Sequence, residues 1–417
     1  MARTKAAAQA LKERETRLAD AIALKVPDRV PLAASFDYFP GKYVGISNEA
    51  AFYDARKWKA AAIKTLQDFG PDAYFIANMT PGRALEALDC RQLRVPGHGV
   101  PTDGGHQFVE AEYMKEDELA KFLYDPSDYL IRTYMPRVFG AFAPLGRLPK
   151  LTGLVWGYGG IGGVPSMLAD ADFVAMLEAL GRYGAELKEW NKVMGTFVTD
   201  MEDLGFPPFS VSITMAPYDA LPDFLRGMRG SMLDLYRQPE RVIEATNKIL
   251  PLMIDLGVSI AKASGNRRVF VPLHRGSDEF MSLKQFERFY WPGLKALCLA
   301  LIDEGLTPWV FFEGNYTARL EYLLELPRGR VLAHLDRTDI VKAKKVLGGH
   351  MAIMGNIPAS LLQTGPKEAV IKYTRDLIET IGKDGGYVMG CRSPMDRTDP
   401  ELVKAWFDAT REYGKYR

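Results

Sequence analysis

The sequence predicts an α/β protein of one domain: a (β/α)8 TIM barrel with an inserted β-hairpin and a mainly helical excursion before its third strand. Three observations lead there. Eight short β-branched or aromatic runs end in polar or Gly residues. Helix-length segments follow most of them. Two of the runs, 267–274 (RRVFVPLH) and 308–314 (PWVFFEG), are nearly continuous apolar stretches, as strands buried on both faces require. Alternating strands and helices with right-handed crossovers make a parallel sheet, and eight repeats close it.

The eight runs are 30–37, 72–78, 209–217, 267–274, 308–314, 330–336, 350–356 and 386–392. Among the segments between them, 282–305 opens on Ser282 as an N-cap and closes on Gly305, with Pro292 and Gly293 expected to split it. Segment 364–382 places Val370, Ile371, Tyr373, Leu377 and Ile378 near helical spacing, and Gly382 ends it. The rhythm breaks twice. Residues 90–114 read as a hairpin around a Gly/Pro turn, and 116–204 as a mainly helical excursion; 1–25 form a helical N-terminal extension. The Gly-rich stretch 151–165 matches neither phosphate-loop pattern and reads as a connection or lid carrying Trp156 and Tyr158.

Composition narrows the function. The chain of 417 residues is 47% apolar and 25% charged, as in ordinary globular proteins. Its 53 Lys and Arg balance 52 Asp and Glu, leaving no net field to attract nucleic acid or an anionic membrane. Apolar runs such as 296–302 fall well short of the roughly 20 residues that span a bilayer. The first 17 residues lack the apolar core of a secretory signal, and three scattered cysteines suit a reducing compartment, so a cytoplasmic enzyme is expected.

In such a barrel the strand C-termini face the active site. The residues there are Asp37, Asn78, Met215, His274, Glu313, His334 with Asp336, Asn356 and Cys391. A polar group buried without a partner costs about 2–7 kcal/mol, so each needs a hydrogen bond, water or a metal. His274, Glu313 and His334 end consecutive strands about 4.8 Å apart and could converge on one zinc ion, with Cys391 as a fourth ligand. Each has a plainer reading: His334 oriented by Asp336, Asp336 paired with Arg337 or capping a helix, Cys391 an inert buried thiol. Cys298 reads as helix core, and His98, His106 and His350 carry no catalytic role. Tyr38, Phe39, Tyr74, Trp156, Met215, Phe311 and Phe312 are the candidate substrate-pocket residues.

From about residue 26 onward the chain resembles the uroporphyrinogen decarboxylase superfamily, which includes cobalamin-dependent methyltransferases. The carrying segments include LKVPDRVPL, APYDALPDFLRGMRGSMLDLYRQPERV, SLKQFERFYWPGLKAL, VFFEGNYTARLEYL, HLDRTDIVKAKKVLGGHMAIMGNIPASLLQTGP and GGYVMGCRSP. The resemblance implies a (β/α)8 barrel. The Arg-rich motif of the porphyrin decarboxylases is replaced by SFDYFPGKYVG. The H-x-C-G-N of thiol-methylating members is replaced by Phe311-Phe312-Glu313-Gly314-Asn315, while Cys391 stays near its eighth-strand position. The ether-cleaving branch is similar in another way: its zinc pattern ends in Glu, 20 residues, then His, as Glu313 and His334 do, although its first acidic position falls on Cys298.

That resemblance implies methyl transfer from a methoxylated aromatic donor to the Co(I) corrinoid of a partner protein. Zinc on Glu313 and His334, or a proton from Asp336 or Glu313, would activate the leaving oxygen, and Asn315 and Asn356 are the cofactor-side candidates. The alternatives are a metal-independent decarboxylase or lyase of the same superfamily, using Asp37, Arg275 or Asp336, and a non-catalytic component that binds a corrinoid protein.

Overall fold

The structure, a computed structural model, describes residues 3–76, 80–161 and 163–416. Each of the eight runs contains a parallel strand: β1 (Ala33–Ser35), β2 (Ala73–Phe75), β6 (Ser212–Ile213), β7 (Arg268–Leu273), β8 (Thr307–Phe312), β9 (Leu332–Leu335), β10 (Ala352–Met354) and β11 (Tyr387–Val388). The intervening β3 (Leu93–Pro96), β4 (Gly99–Val100) and β5 (Gln107–Phe108) form a small separate sheet, with Leu93 opposite Phe108 in antiparallel register.

Strands β6 to β11 form one parallel sheet in the order β11-β10-β9-β8-β7-β6, and β1 pairs with β2. Parallel bridges join the two groups at both edges, Leu32 to Met389 and Tyr74 to Pro208. The Met389 amide donates to the Pro31 carbonyl at 2.8 Å and the Phe209 amide to the Tyr74 carbonyl at 2.7 Å. All eight parallel segments are therefore linked edge to edge.

Because successive side chains alternate across a strand, the ring has two apolar layers. Val269, Val271, Leu273, Val310, Phe312, Ala333 and Leu335 face the surrounding helices. Trp309 and Leu332 face inward with Ala33, Ala73, Phe209, Ala352, Met354 and Val388, and Phe270 packs against them. The N-terminal helix Lys5–Ile22, capped by Thr4, sets Leu18, Ala21 and Ile22 into that inner layer and closes the strand N-terminal end.

Segment 282–305 divides as its Pro292 predicts. Ser282 caps Leu283–Gln285 in a reciprocal box with Gln285, a π-helical turn follows over Phe286–Tyr290, and Trp291–Asp303 carries Pro292 in its first turn. Leu294, Leu297 and Leu301 of that helix are buried, each contributing about 1.5–3 kcal/mol of apolar transfer. The described residues between 116 and 204 are mainly helical, their longest element being Ala171–Met194.

Candidate functional site

Strand register decides which polar side chains meet. Leu273 pairs with Phe312 and Phe312 with Leu335, so the next rank along the ring is His274, Glu313 and Asp336. All three lie at the C-terminal ends of β7, β8 and β9. His334 pairs with Phe311 and Met354 and sits one inward rank lower, roughly 7 Å down the strand axis. The turn after Glu313 requires glycine. Gly314 has φ +94°, and a Cβ there would meet Ser277 Oγ at 2.9 Å. Its amide donates to Asp336 Oδ2 at 2.9 Å, tying the two strand ends together.

His274 Nε2 lies 3.9 Å from Glu313 Oε2, while Nδ1 is 2.5 Å from Asp223 Oδ2. Asp219 organises the backbone beneath: Oδ2 accepts from the His274 amide at 2.9 Å and the Tyr290 hydroxyl at 2.6 Å, and Oδ1 accepts from the Arg275 amide at 3.0 Å. Arg275 Nε reaches Asp223 Oδ1 at 3.3 Å. Burial alone would lower the His274 pKa. The hydrogen bond to Asp223 and the charges of Asp219, Asp223 and Glu313 outweigh it and raise it to about 9. At neutral pH His274 is thus an imidazolium. The Glu313 pKa is raised chiefly by burial, with His274 opposing the shift and Asp336 adding to it, although the side chain remains 55% exposed at the rim. Asp336 is also raised, again mainly by burial.

The inner wall below this rank is aromatic. Phe75 and Phe270 have ring centroids 5.4 Å apart, and Phe270 and Phe311 stack at 6.3 Å. Ser212 Oγ donates to the Gly257 carbonyl and Thr214 Oγ1 to the Met253 carbonyl, both on the outer helix Pro239–Ser264. Ile213 and Met215 therefore point to the inner side, and Ile213 remains 46% exposed there, which shows open space inside the ring. At the end of β1, Asp37 lies beside Asp396; burial, then the Asp396 charge, holds its carboxyl well above the usual range.

Of the expected pocket residues, Phe311 and Met215 lie on the inner side. Tyr74 and Phe312 face outward, against Phe197 and Tyr316, because each neighbours an inward residue. Phe39 packs between Tyr43 and Phe69 in the outer core. Tyr38 is buried against Phe52 and Trp58, with its hydroxyl 2.7 Å from His106 Nδ1. Trp156 is 79% exposed on the segment Leu151–Trp156. Asn315 and Asn356 are corrected too. Asn315 Oδ1 accepts from the Thr317 amide and hydroxyl, whereas Asn356 Nδ2 donates to the Asp336 carbonyl and its Oδ1 accepts from Tyr373. The Asn356 amide and the Asn315 carbonyl oxygen are thus engaged with neighbouring segments of the chain. Asn78 lies outside the described residues.

Of the expected zinc ligands, His274 and Glu313 meet at the rim, whereas His334 lies a rank below and Cys391 is buried apart from them. His334 is 3% exposed, between Trp309 and Phe311, and its Nε2 donates to the Cys391 carbonyl at 2.7 Å. Burial lowers its pKa to about 4, so it is a neutral ring whose Nδ1 has no partner among the described residues. Cys391 is fully buried, and burial pushes its thiol up to about 11. His274 is charged and bound to Asp223. Among the described residues no three His, Cys, Asp or Glu side chains gather as a metal-binding group. This donor set does not fit zinc. Asp219 and Asp223 went unread in the sequence, although D-x-x-x-D in APYDALPDF puts two carboxylates one helical turn apart directly after a strand.

One rim of the parallel ring thus carries His274, with its pKa raised, beside the carboxyls of Glu313 and Asp336, above an apolar interior. Residues 211–413 match the family model of uroporphyrinogen decarboxylase (URO-D). The fold of the chain is similar to that of a methyltransferase from Methanosarcina mazei, with TM-score 0.60 at 15% identity over 96% of this chain and 98% of that one. No curated protein matches the sequence significantly.

Proposed function

We propose that this protein moves a methyl group from a methoxylated aromatic compound to the reduced corrinoid of a partner protein, on a (β/α)8 barrel whose C-terminal rim activates the leaving oxygen. The single observation that carries the reading is the His274–Glu313 pair, 3.9 Å apart, above an aromatic interior. The URO-D match and the methyltransferase-like fold support the reaction class.

In this reading the aromatic ring of the donor lies among Phe75, Phe270, Phe311 and Ile213, with its ether oxygen at Glu313. The corrinoid supplies the electron pair that forms the new bond to the methyl carbon. As the carbon–oxygen bond breaks, its pair stays on oxygen, which takes the His274 proton relayed through Glu313, and the phenol leaves neutral. Glu313 remains a carboxylate and His274 becomes neutral, held by Asp223. Solvent then returns the proton. The chain has no D-x-H-x-x-G corrinoid-binding motif, so the acceptor belongs to a separate protein. Among the described residues no helix is long and apolar enough to cross a membrane.

The test is a panel of methoxybenzoates and methoxyphenols with cob(I)alamin, followed by the visible spectrum of the methylated product. E313Q should lower turnover by about 10²–10⁴-fold while phenol binding persists. Metal content and chelator sensitivity are measured alongside. Silence with every donor, or activity that disappears with a chelator, refutes the proposal. Release of CO2 from an aromatic acid would favour the lyase alternative.

A further inference from the structure

At the opposite end of the ring, a cavity of about 720 Å³ lies between the N-terminal helix and the segments 63–67 and 200–206. Its volume is that of a small-ligand site. The helix lines it with Ala6, Ala7 and Ala10, whose small side chains leave a trough, and Ile63, Leu204 and Phe206 supply the facing wall. From Thr4 to Arg14 the trough runs ten residues of helix, about 15 Å.

One end of this apolar trough carries a charge. Arg14 is half-buried, with its guanidinium 4.2 Å from the centre of the Phe206 ring. Its one described hydrogen bond is Nη1 to the Gly205 carbonyl, at 2.5 Å. Among the described residues no carboxylate lies within 4 Å of it. The neighbouring cations are all engaged: Arg17 with Asp28 and Asp72, Arg29 with Asp72, and Arg411 with Asp408 and the Phe69 and Gly70 carbonyls. The acids on the trough wall are engaged as well, Asp200 with Lys59 and Asp203 with Arg3. Burial, together with the charges of Arg17, Arg29 and Arg411, already destabilises the Arg14 cation, and Asp72 offsets this in part. A half-buried cation with no carboxylate partner at one end of an apolar trough is complementary to an anion with an apolar body.

We propose that this trough is a second ligand site, separate from the rim, which binds an elongated organic carboxylate. The carboxylate pairs with Arg14 and the apolar chain lies along Ala10, Ala7 and Ala6. Calorimetric titration of the full chain with decanoate, 1-decanol and decylamine tests it. Decanoate should bind, decanol at least tenfold more weakly, and decylamine not at all. R14M should weaken decanoate at least tenfold, R14K by less than threefold, and A10L, which fills the trough, at least tenfold. Failure of decanoate to bind wild type, equal affinity for decanol, or an unchanged affinity in R14M overturns the proposal. Should R14M not fold, A10L and the three-probe comparison on wild type decide it by the same criteria.

Discussion

Replacing Asp223 with Asn keeps the shape of the side chain but removes the anion that holds His274 charged. In the wild type the His274 pKa is about 9, against an ordinary 6.5, although burial works in the opposite direction. A carboxylate in direct contact raises an imidazole pKa by about 1–3, so D223N should bring it into the range of about 6–8. At pH 8 the charged fraction then falls from roughly nine-tenths to one-half or less. The chain has only five histidines, so a ¹⁵N-histidine NMR titration resolves them. His334, lowered to about 4 by burial and donating through Nε2, serves as a reference that stays neutral above pH 5. Because the folded pKa is raised, the His274 contribution to stability is complete below about 6.5 and is lost as pH rises through about 9. Wild-type Tm should therefore fall across that window more than D223N Tm does. A wild-type His274 titrating near 6.5, or a D223N titration superimposed on wild type, would refute the electrostatic account of the rim.

Two further outcomes rest on packing. I213W should fill the inner space beside Phe270 and raise KM for bulky aromatic donors at least tenfold, with stability nearly unchanged because Ile213 is half exposed; an unaltered KM would place the donor elsewhere. R226M removes the cation from Asp234, which is 1% exposed and bound to Arg226 Nε at 2.6 Å, and leaves it only the neutral Gln238 amide. Urea denaturation should show a loss of about 3–5 kcal/mol, since an uncompensated buried carboxylate remains. A loss below about 1 kcal/mol would mean that water reaches Asp234.

The eight strands were legible in the sequence because a parallel strand buried on both faces has to be a short apolar run, and local composition records that. Ser282, Pro292 and Gly305 were legible for a similar reason: caps and breaks depend on one residue's own backbone chemistry. Glu313 was found as the carboxylate between Phe312 and a glycine turn. Depth within the ring was not legible. With a side-chain period of two, Asp336 and His334 both point inward, and only pairing with β8 places Asp336 beside Glu313 and His334 beside Phe311. The same alternation turned Tyr74 and Phe312 outward, next to inward Phe75 and Phe311. The charge on His274 was least accessible of all, because Asp223 lies 51 residues earlier and reaches it only when the segment after β6 folds over the end of β7. By itself, then, the sequence determined which segments are strands and which residue types stand near their ends. Tertiary structure alone decided which of those side chains share a rank and which are charged, since register and electrostatic coupling act between strands far apart along the chain.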